Sequence, residues 1–180
     1  MDKFFYTSIV LLLLLLICGG AFPIDGKQKD TNVLTTGSEE QHVFVTHHAA
    51  IDNKKVELIE KAYSVLKTPH VYGGTSPNGF DCSGFTAYVF KHALDIQLPR
   101  SSADQAKVGE LVDISNASIG DLVFFQPGNR INHVGIITSQ PEEPLTMIHV
   151  SSSNGVEVTN IEESTYWQAR LLYVRTGYLK

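Results

Sequence analysis

The chain has 180 residues, with 14 Lys and Arg against 19 Asp and Glu, a formal net charge of −5, and no cluster of basic residues. That balance argues against a phosphate-binding face and makes nucleic acid a poor partner. Only two cysteines occur, Cys18 and Cys82, and they lie in very different surroundings.

Ile9 to Ile17 form a continuous apolar run (I-V-L-L-L-L-L-L-I) after Lys3, followed by Gly19, Gly20 and Ala21. About nine apolar residues fall short of the roughly 20 that a spanning helix needs, and they match the h-region of a signal peptide. Residues 1–21 are therefore expected to be a signal peptide cleaved after Ala21. The alternative is a lipoprotein signal ending before Cys18, although Ile17 stands where such sites usually carry a small residue. The only membrane attachment the sequence offers is lipid on Cys18, and the expected location is the periplasm or cell envelope. The mature chain of about 160 residues is enough for one domain with a real core. An exported domain meets oxidising conditions, where structural cysteines come in pairs. Cys82 has no partner within the domain, so it is either buried filler or a used thiol.

Residues 22–50 are polar and read as a flexible N-terminal segment, with His47 and His48 at its end. The domain is expected over 51–180. Val56, Ile59, Tyr63 and Leu66 recur at helical steps and mark the apolar face of a first helix ending near Thr68-Pro69. The loop Y-G-G-T-S-P-N-G follows, its glycines at 73, 74 and 79 allowing sharp turns and room above the thiol. A second helix starts close to Cys82 with Phe85, Val89 and Ala93 on one face. Ser102 and Gln105 have capping-box spacing for a short third helix. Strands are expected over 121–126, 133–139, 146–151, 155–160 and 171–176, with Asn154-Gly155 as a hairpin turn. Helices first and strands afterwards indicate an α+β domain with a mainly antiparallel sheet.

The stretch G-F-D-C-S-G (79–84) carries the chemistry. Cysteine attacks as the thiolate, and the partial positive charge of a helix start should favour that form at Cys82. A nucleophilic thiol needs a base, normally histidine, and a third group to orient it. His133 and His149 lie on successive strands flanking the loop 140–144. An antiparallel hairpin about that loop brings them together at the end away from it. Alternation puts His149 on one face with Met147 and Ser151, and Ile148 and Val150 on the other. A zinc site built from one Cys and two His is the rival reading, without the short spacings of a metal nucleus. No cofactor or metal is expected.

The blocks Y-G-G-T-S-P-N-G-F-D-C-S-G-F, L-P-R-S-S, G-D-L-V-F-F, N-H-V-G-I and I-H-V-S-S-S-N-G-V, in that order over roughly residues 55–175, resemble the successive motifs of the NlpC/P60 cysteine peptidases. The chain looks most like the single-domain exported murein endopeptidases. The resemblance implies a papain-like α+β fold, with Cys82 as nucleophile, His133 as general base and His149 as orienting residue. It also implies substrate contacts from Tyr72, Asp81, Ser83 and, after Pro99-Arg100, Ser101; Asp81 and Ser83 have the alternative of capping the helix. The implied activity is hydrolysis of peptidoglycan stem peptides, most often between D-glutamate, through its γ-carboxyl, and the diamino acid. A D,D-cut of cross-links between stems is the alternative. A catalytically silent wall-binding domain and an amidase or acyltransferase acting on lipids or small amides are the rivals from other classes. The loop 140–144, with two prolines and two glutamates, departs from the tight glycine turn of relatives and should reshape one rim of the cleft.

Overall fold

A computed structural model describes residues 52–128, 130–176 and 178–179. The expected signal segment 1–21, with Cys18, and the segment 22–50 lie outside them. Among the described residues no helix is long and apolar enough to cross a membrane.

The sheet is organised by its most apolar strand. Strand β4 (Leu122–Phe125) reads L-V-F-F and is buried at every position. Because successive side chains point to opposite faces, both faces of the sheet must be covered. Leu122 and Phe124 enter one core with Leu58 and Ala62 of helix α1 (52–63) and with Phe85, Val89 and Phe90 of helix α2 (Cys82–Leu94). Val123 and Phe125 enter a second core with Met147, Ile161 and Val174. The remaining strands are β3 (Glu110–Val112), β5 (His133–Ile137), β6 (Thr146–Ser151), β7 (Gly155–Asn160) and β8 (Leu171–Thr176), in the spatial order β3-β8-β4-β5-β6-β7. Every pairing in this sheet is antiparallel. A two-residue hairpin, β1 (Thr75–Ser76) with β2 (Gly79–Phe80), precedes α2. Short helices α3 (Ser102–Gln105) and α4 (Thr165–Gln168) complete the domain. The architecture is α+β, as the residue pattern indicates; the missed elements are the short strands β1, β2 and β3, helix α4 and a 3₁₀ turn at Ile114–Asn116, whose two to four residues carry too little periodicity to read.

Two local expectations are corrected. Helix α1 and the turn after it (64–67) show a different stripe to the core: Leu58, Ala62 and Val65 are buried, whereas Val56, Tyr63 and Leu66 are exposed and only Ile59 of the expected face packs inward. Both stripes have helical spacing, and the choice is made by the exit of the helix. Lys67 adopts a left-handed φ of 66° and donates its N–H to the Val156 carbonyl at 2.9 Å, which ties the turn to β7. Helix α3 is capped by Ser101, not Ser102: its hydroxyl accepts from the Asp104 N–H at 3.1 Å. Gln105 cannot reach back to a cap because its amide is buried. It donates to the carbonyls of Ser83 at 3.0 Å and Pro99 at 2.8 Å, holding α3 against the start of α2.

The start of α2 is packed backbone to backbone against the loop before it. A β-carbon on Gly84 would be driven into the Gly74 carbonyl oxygen, far inside van der Waals contact. In an ordinary helix interior, Gly→Ala stabilises by about 0.5–1 kcal/mol. Here the backbone clash outweighs that gain, and Gly84→Ala is expected to destabilise the domain by about 1–3 kcal/mol, measured as a lowered denaturation midpoint with unchanged m-value.

Candidate active site

Asp81 starts α2. Its carboxylate accepts the Gly84 N–H at 2.6 Å, and its own N–H donates to the Gly74 carbonyl at 3.0 Å. The carboxylate is also gripped by Arg100, whose Nη1 and Nη2 donate at 3.1 and 2.6 Å. Ser83 lies buried between them, donating to Asp81 at 3.2 Å and accepting from Arg100 at 3.2 Å. This bidentate pair holds the Asp81 carboxyl below its ordinary range although partial burial pushes the other way.

Cys82 is the first residue of α2, and its thiol donates to the Asn132 carbonyl at 3.7 Å. A helix start by itself favours the thiolate, but the balance here is the reverse. Burial, and then the neighbouring Asp81 carboxylate, raise the thiol above its ordinary value, and the nearby backbone amides do not offset them. The resting sulfur is a protonated thiol, so its proton needs an acceptor at the moment of reaction.

The register of the sheet supplies a candidate. Phe125 of β4 pairs with His133, and Ile136 of β5 pairs with Ile148 of β6. His133 and His149 therefore share the face of Phe125 and Met147, one diagonal step apart. Their rings meet through His133 Nε2 and His149 Nδ1 at 3.0 Å. Gly135 lies between them: a β-carbon there would stand 3.3 Å from the His149 Cβ and 2.9 Å from the Met147 sulfur. Trp167 of α4 covers both imidazoles, its ring 4.7 Å from His133 and 4.9 Å from His149. Burial pushes His133 down to about 3 and His149 to about 4, with the mutual repulsion of two protonated rings adding to the effect at His133. Both are neutral at neutral pH.

Cys82, His133, Tyr72, Asp81, Ser83 and Ser101 line one open cavity of about 890 Å³. Tyr72 stands 96% exposed at its rim, while Ser101 is engaged in capping α3. His149 sits behind His133, fully buried. Of the loop glycines, only Gly73 faces open space; Gly74 and Gly79 are needed for close packing of the β1–β2 hairpin. Arg100, Asn132 and Trp167 also line the cavity and were not singled out from the sequence. Arg100 was legible as the one cation in L-P-R-S-S; Trp167, on a four-residue helix near the end of the domain, had no local signal. Among the described residues no group of three His, Cys, Asp or Glu side chains is arranged to hold a metal ion. The two imidazoles bond to each other and do not converge on a common centre.

A thiol at a helix start, backed by a neutral imidazole pair on an antiparallel sheet, defines a class of α+β domain able to carry out nucleophilic acyl chemistry. The chain belongs to the NlpC/P60 family, whose sequence pattern matches residues 67–176. It is 37% identical over 123 residues to the "Gamma-DL-glutamyl hydrolase" of Bacillus subtilis, covering 67% of this chain and 29% of that protein. It is 38% identical over 98 residues to the "Murein DD-endopeptidase MepS/Murein LD-carboxypeptidase" of Escherichia coli, covering 54% of this chain and 50% of that protein. The chain thus spans half or less of the length of these two relatives. Among solved structures, the NlpC/p60 domain of the peptidoglycan hydrolase SagA is 28% identical with a TM-score of 0.58, covering 68% of this chain and 98% of that one.

The buried imidazoles make stability depend on pH. Their folded values lie below the ordinary histidine value of about 6.5. Between about 4 and 6.5 the unfolded chain therefore binds protons that the folded chain refuses, so stability rises with pH through this window. The expected result is a melting temperature that falls as pH is lowered from about 7 to about 4.5. A variant with Asn at both 133 and 149 should lose most of that slope. An equal slope in the double variant would show that other groups set the acid lability.

Proposed function

We propose that this protein is a cysteine endopeptidase that hydrolyses peptide bonds in peptidoglycan stems, with Cys82, His133 and His149 as its catalytic set. The observation that carries the reading is the neutral His133–His149 pair, of which His133 lines the cavity that Cys82 opens onto and His149 backs it. With His133 Nε2 committed to His149, its Nδ1 is the ring nitrogen left for the thiol. His133 takes the Cys82 proton as sulfur attacks the scissile carbonyl, and then delivers that proton to the leaving amine as the C–N bond breaks. The resulting thioester is hydrolysed by a water that His133 deprotonates, and the proton returns to sulfur. Amides at the α2 start are suited to stabilise the oxyanion. Tyr72, Asp81, Ser83 and Ser101 are proposed as substrate contacts. Since Asp81 is already bound bidentately by Arg100, a free amino end of the stem would share that carboxylate with the guanidinium.

The preferred bond is the one between γ-D-glutamate and the diamino acid, supported by the 37% identity to a protein named as a γ-glutamyl hydrolase. The D,D cross-link is the second reading, supported by the comparable identity to a protein named as a murein DD-endopeptidase. Export is part of the proposal, on the strength of the apolar run Ile9 to Ile17.

Purified peptidoglycan incubated with the protein should release peptide fragments, and Cys82→Ala should reduce the rate by at least about 10⁴-fold while leaving the circular dichroism spectrum unchanged. Undiminished release by that variant would overturn the thiol mechanism. Binding without release by the wild type would favour a silent wall-binding domain. Fragment masses from stem monomers and from cross-linked dimers decide between the two bonds.

A further inference from the structure

The proposed catalytic set stops at His149, but the hydrogen-bonded chain does not. Strand β7 pairs with β6 so that Glu157 stands opposite His149 and Thr159 opposite Met147. Both therefore fall on the face that carries the imidazoles. The Thr159 hydroxyl lies 3.0 Å from His149 Nε2, and a Glu157 carboxylate oxygen lies 4.0 Å from the same nitrogen. Glu157 is itself held in place, since its other oxygen accepts from the Asn154 side-chain amide at 2.7 Å.

Two neutral imidazoles joined nitrogen to nitrogen have two proton arrangements. If Thr159 donates to His149 Nε2, then His149 carries its proton on Nδ1 and donates to His133, whose own proton is forced onto Nδ1. That tautomer points an N–H at the cavity and cannot accept a proton from sulfur. If instead His149 Nε2–H donates to Thr159, His149 Nδ1 accepts from His133 Nε2–H, and His133 Nδ1 is bare. A fixed carboxylate 4.0 Å from His149 Nε2 favours the arrangement with the proton on that nitrogen.

We propose that Thr159 and Glu157 are positioning residues that hold His149 as its Nε2–H tautomer, and that this sets His133 in the form able to take a proton from Cys82. The inference rests on the Cys82–His133–His149 reading above. It adds that the orienting group is a strand-β7 device extending the chain to four or five members. The carboxylate also lies where it would stabilise positive charge spreading through the pair once His133 is protonated. Among the described residues the other titratable or charged groups near the pair include Cys82 with Asp81, Arg100 and Arg170 on the cavity wall, His70, which opposes protonation of His133, and Lys67, which acts on Glu157.

The test has two arms on the full chain. Long-range ¹H–¹⁵N spectra of the histidine rings at neutral pH report tautomers without any need for activity. The wild type should show Nε2–H at both His133 and His149, and Thr159→Val should show mixed tautomers. In the kinetic arm, Thr159→Val should lower kcat by about 10–100-fold with KM little changed, and Thr159→Ser should restore it. Glu157→Gln should move the acid limb of kcat/KM to lower pH, because the carboxylate raises the proton affinity of His149 and, through the His149–His133 hydrogen bond, of the pair that titrates together; a merely structural role would lower activity without moving the limb. Nδ1–H at His149 in the wild type overturns the proposal, as does a Thr159→Val enzyme with unchanged tautomers and unchanged kcat. Activity that survives Cys82→Ala would overturn the thiol reading instead, and the spectra would still decide the tautomer.

Discussion

The site depends on one buried contact, the hydrogen bond between His133 and His149. Two imidazoles in adjacent strands are ordinarily solvated and half-protonated near neutral pH. Here the register of β5 against β6 and the cover of Trp167 remove water from them, and the cost of burying charge keeps both neutral. A neutral pair has a lone pair to offer. The rest of the local architecture serves this contact: Gly135 leaves room for the close approach of Met147 and the His149 Cβ on the facing strand, and β7 brings a hydroxyl and a carboxylate to the far side of His149.

The thiol is controlled by a different balance. Cys82 begins a helix, yet it is partly buried and its neighbour Asp81 is an anion, so the proton stays on sulfur at rest. Arg100 neutralises much of that anion through two hydrogen bonds, and Gln105 holds the α3 region in place from beneath. A helix start is therefore not sufficient to activate a cysteine when the capping residue is itself charged. In the proposed mechanism the proton acceptor is His133, which lines the same cavity with His149 behind it.

Much of this was legible along the chain. The strands at 146–151, 155–160 and 171–176 were read to the residue, because alternation and turn signals bound them on both sides. The meeting of His133 with His149 followed from a single assumption, an antiparallel hairpin about residues 140–144, which the register bears out. Helix α1 was read with the correct period but the wrong stripe. Tyr63 and Leu66 are larger than Ala62 and Val65, yet the smaller pair lies in the core because the exit turn is tied to β7. The cap of α3 slipped by one residue for a similar reason, since two adjacent serines have equal capping chemistry and only the burial of Gln105 distinguishes them.

The sequence by itself determined the α+β class, the helix that begins at Cys82, and the two histidines on adjacent strands. These are local matters of periodicity, capping and turns within a few residues. Tertiary structure alone decided the protonation of the site. The raised thiol, the depressed imidazoles, the Asp81–Arg100 pair and the approach of Thr159 and Glu157 all depend on burial and on contacts between distant segments. Proton affinity is a property of the surroundings of a group, and those surroundings exist only once the sheet, its Trp167 cover and the α2 start have come together.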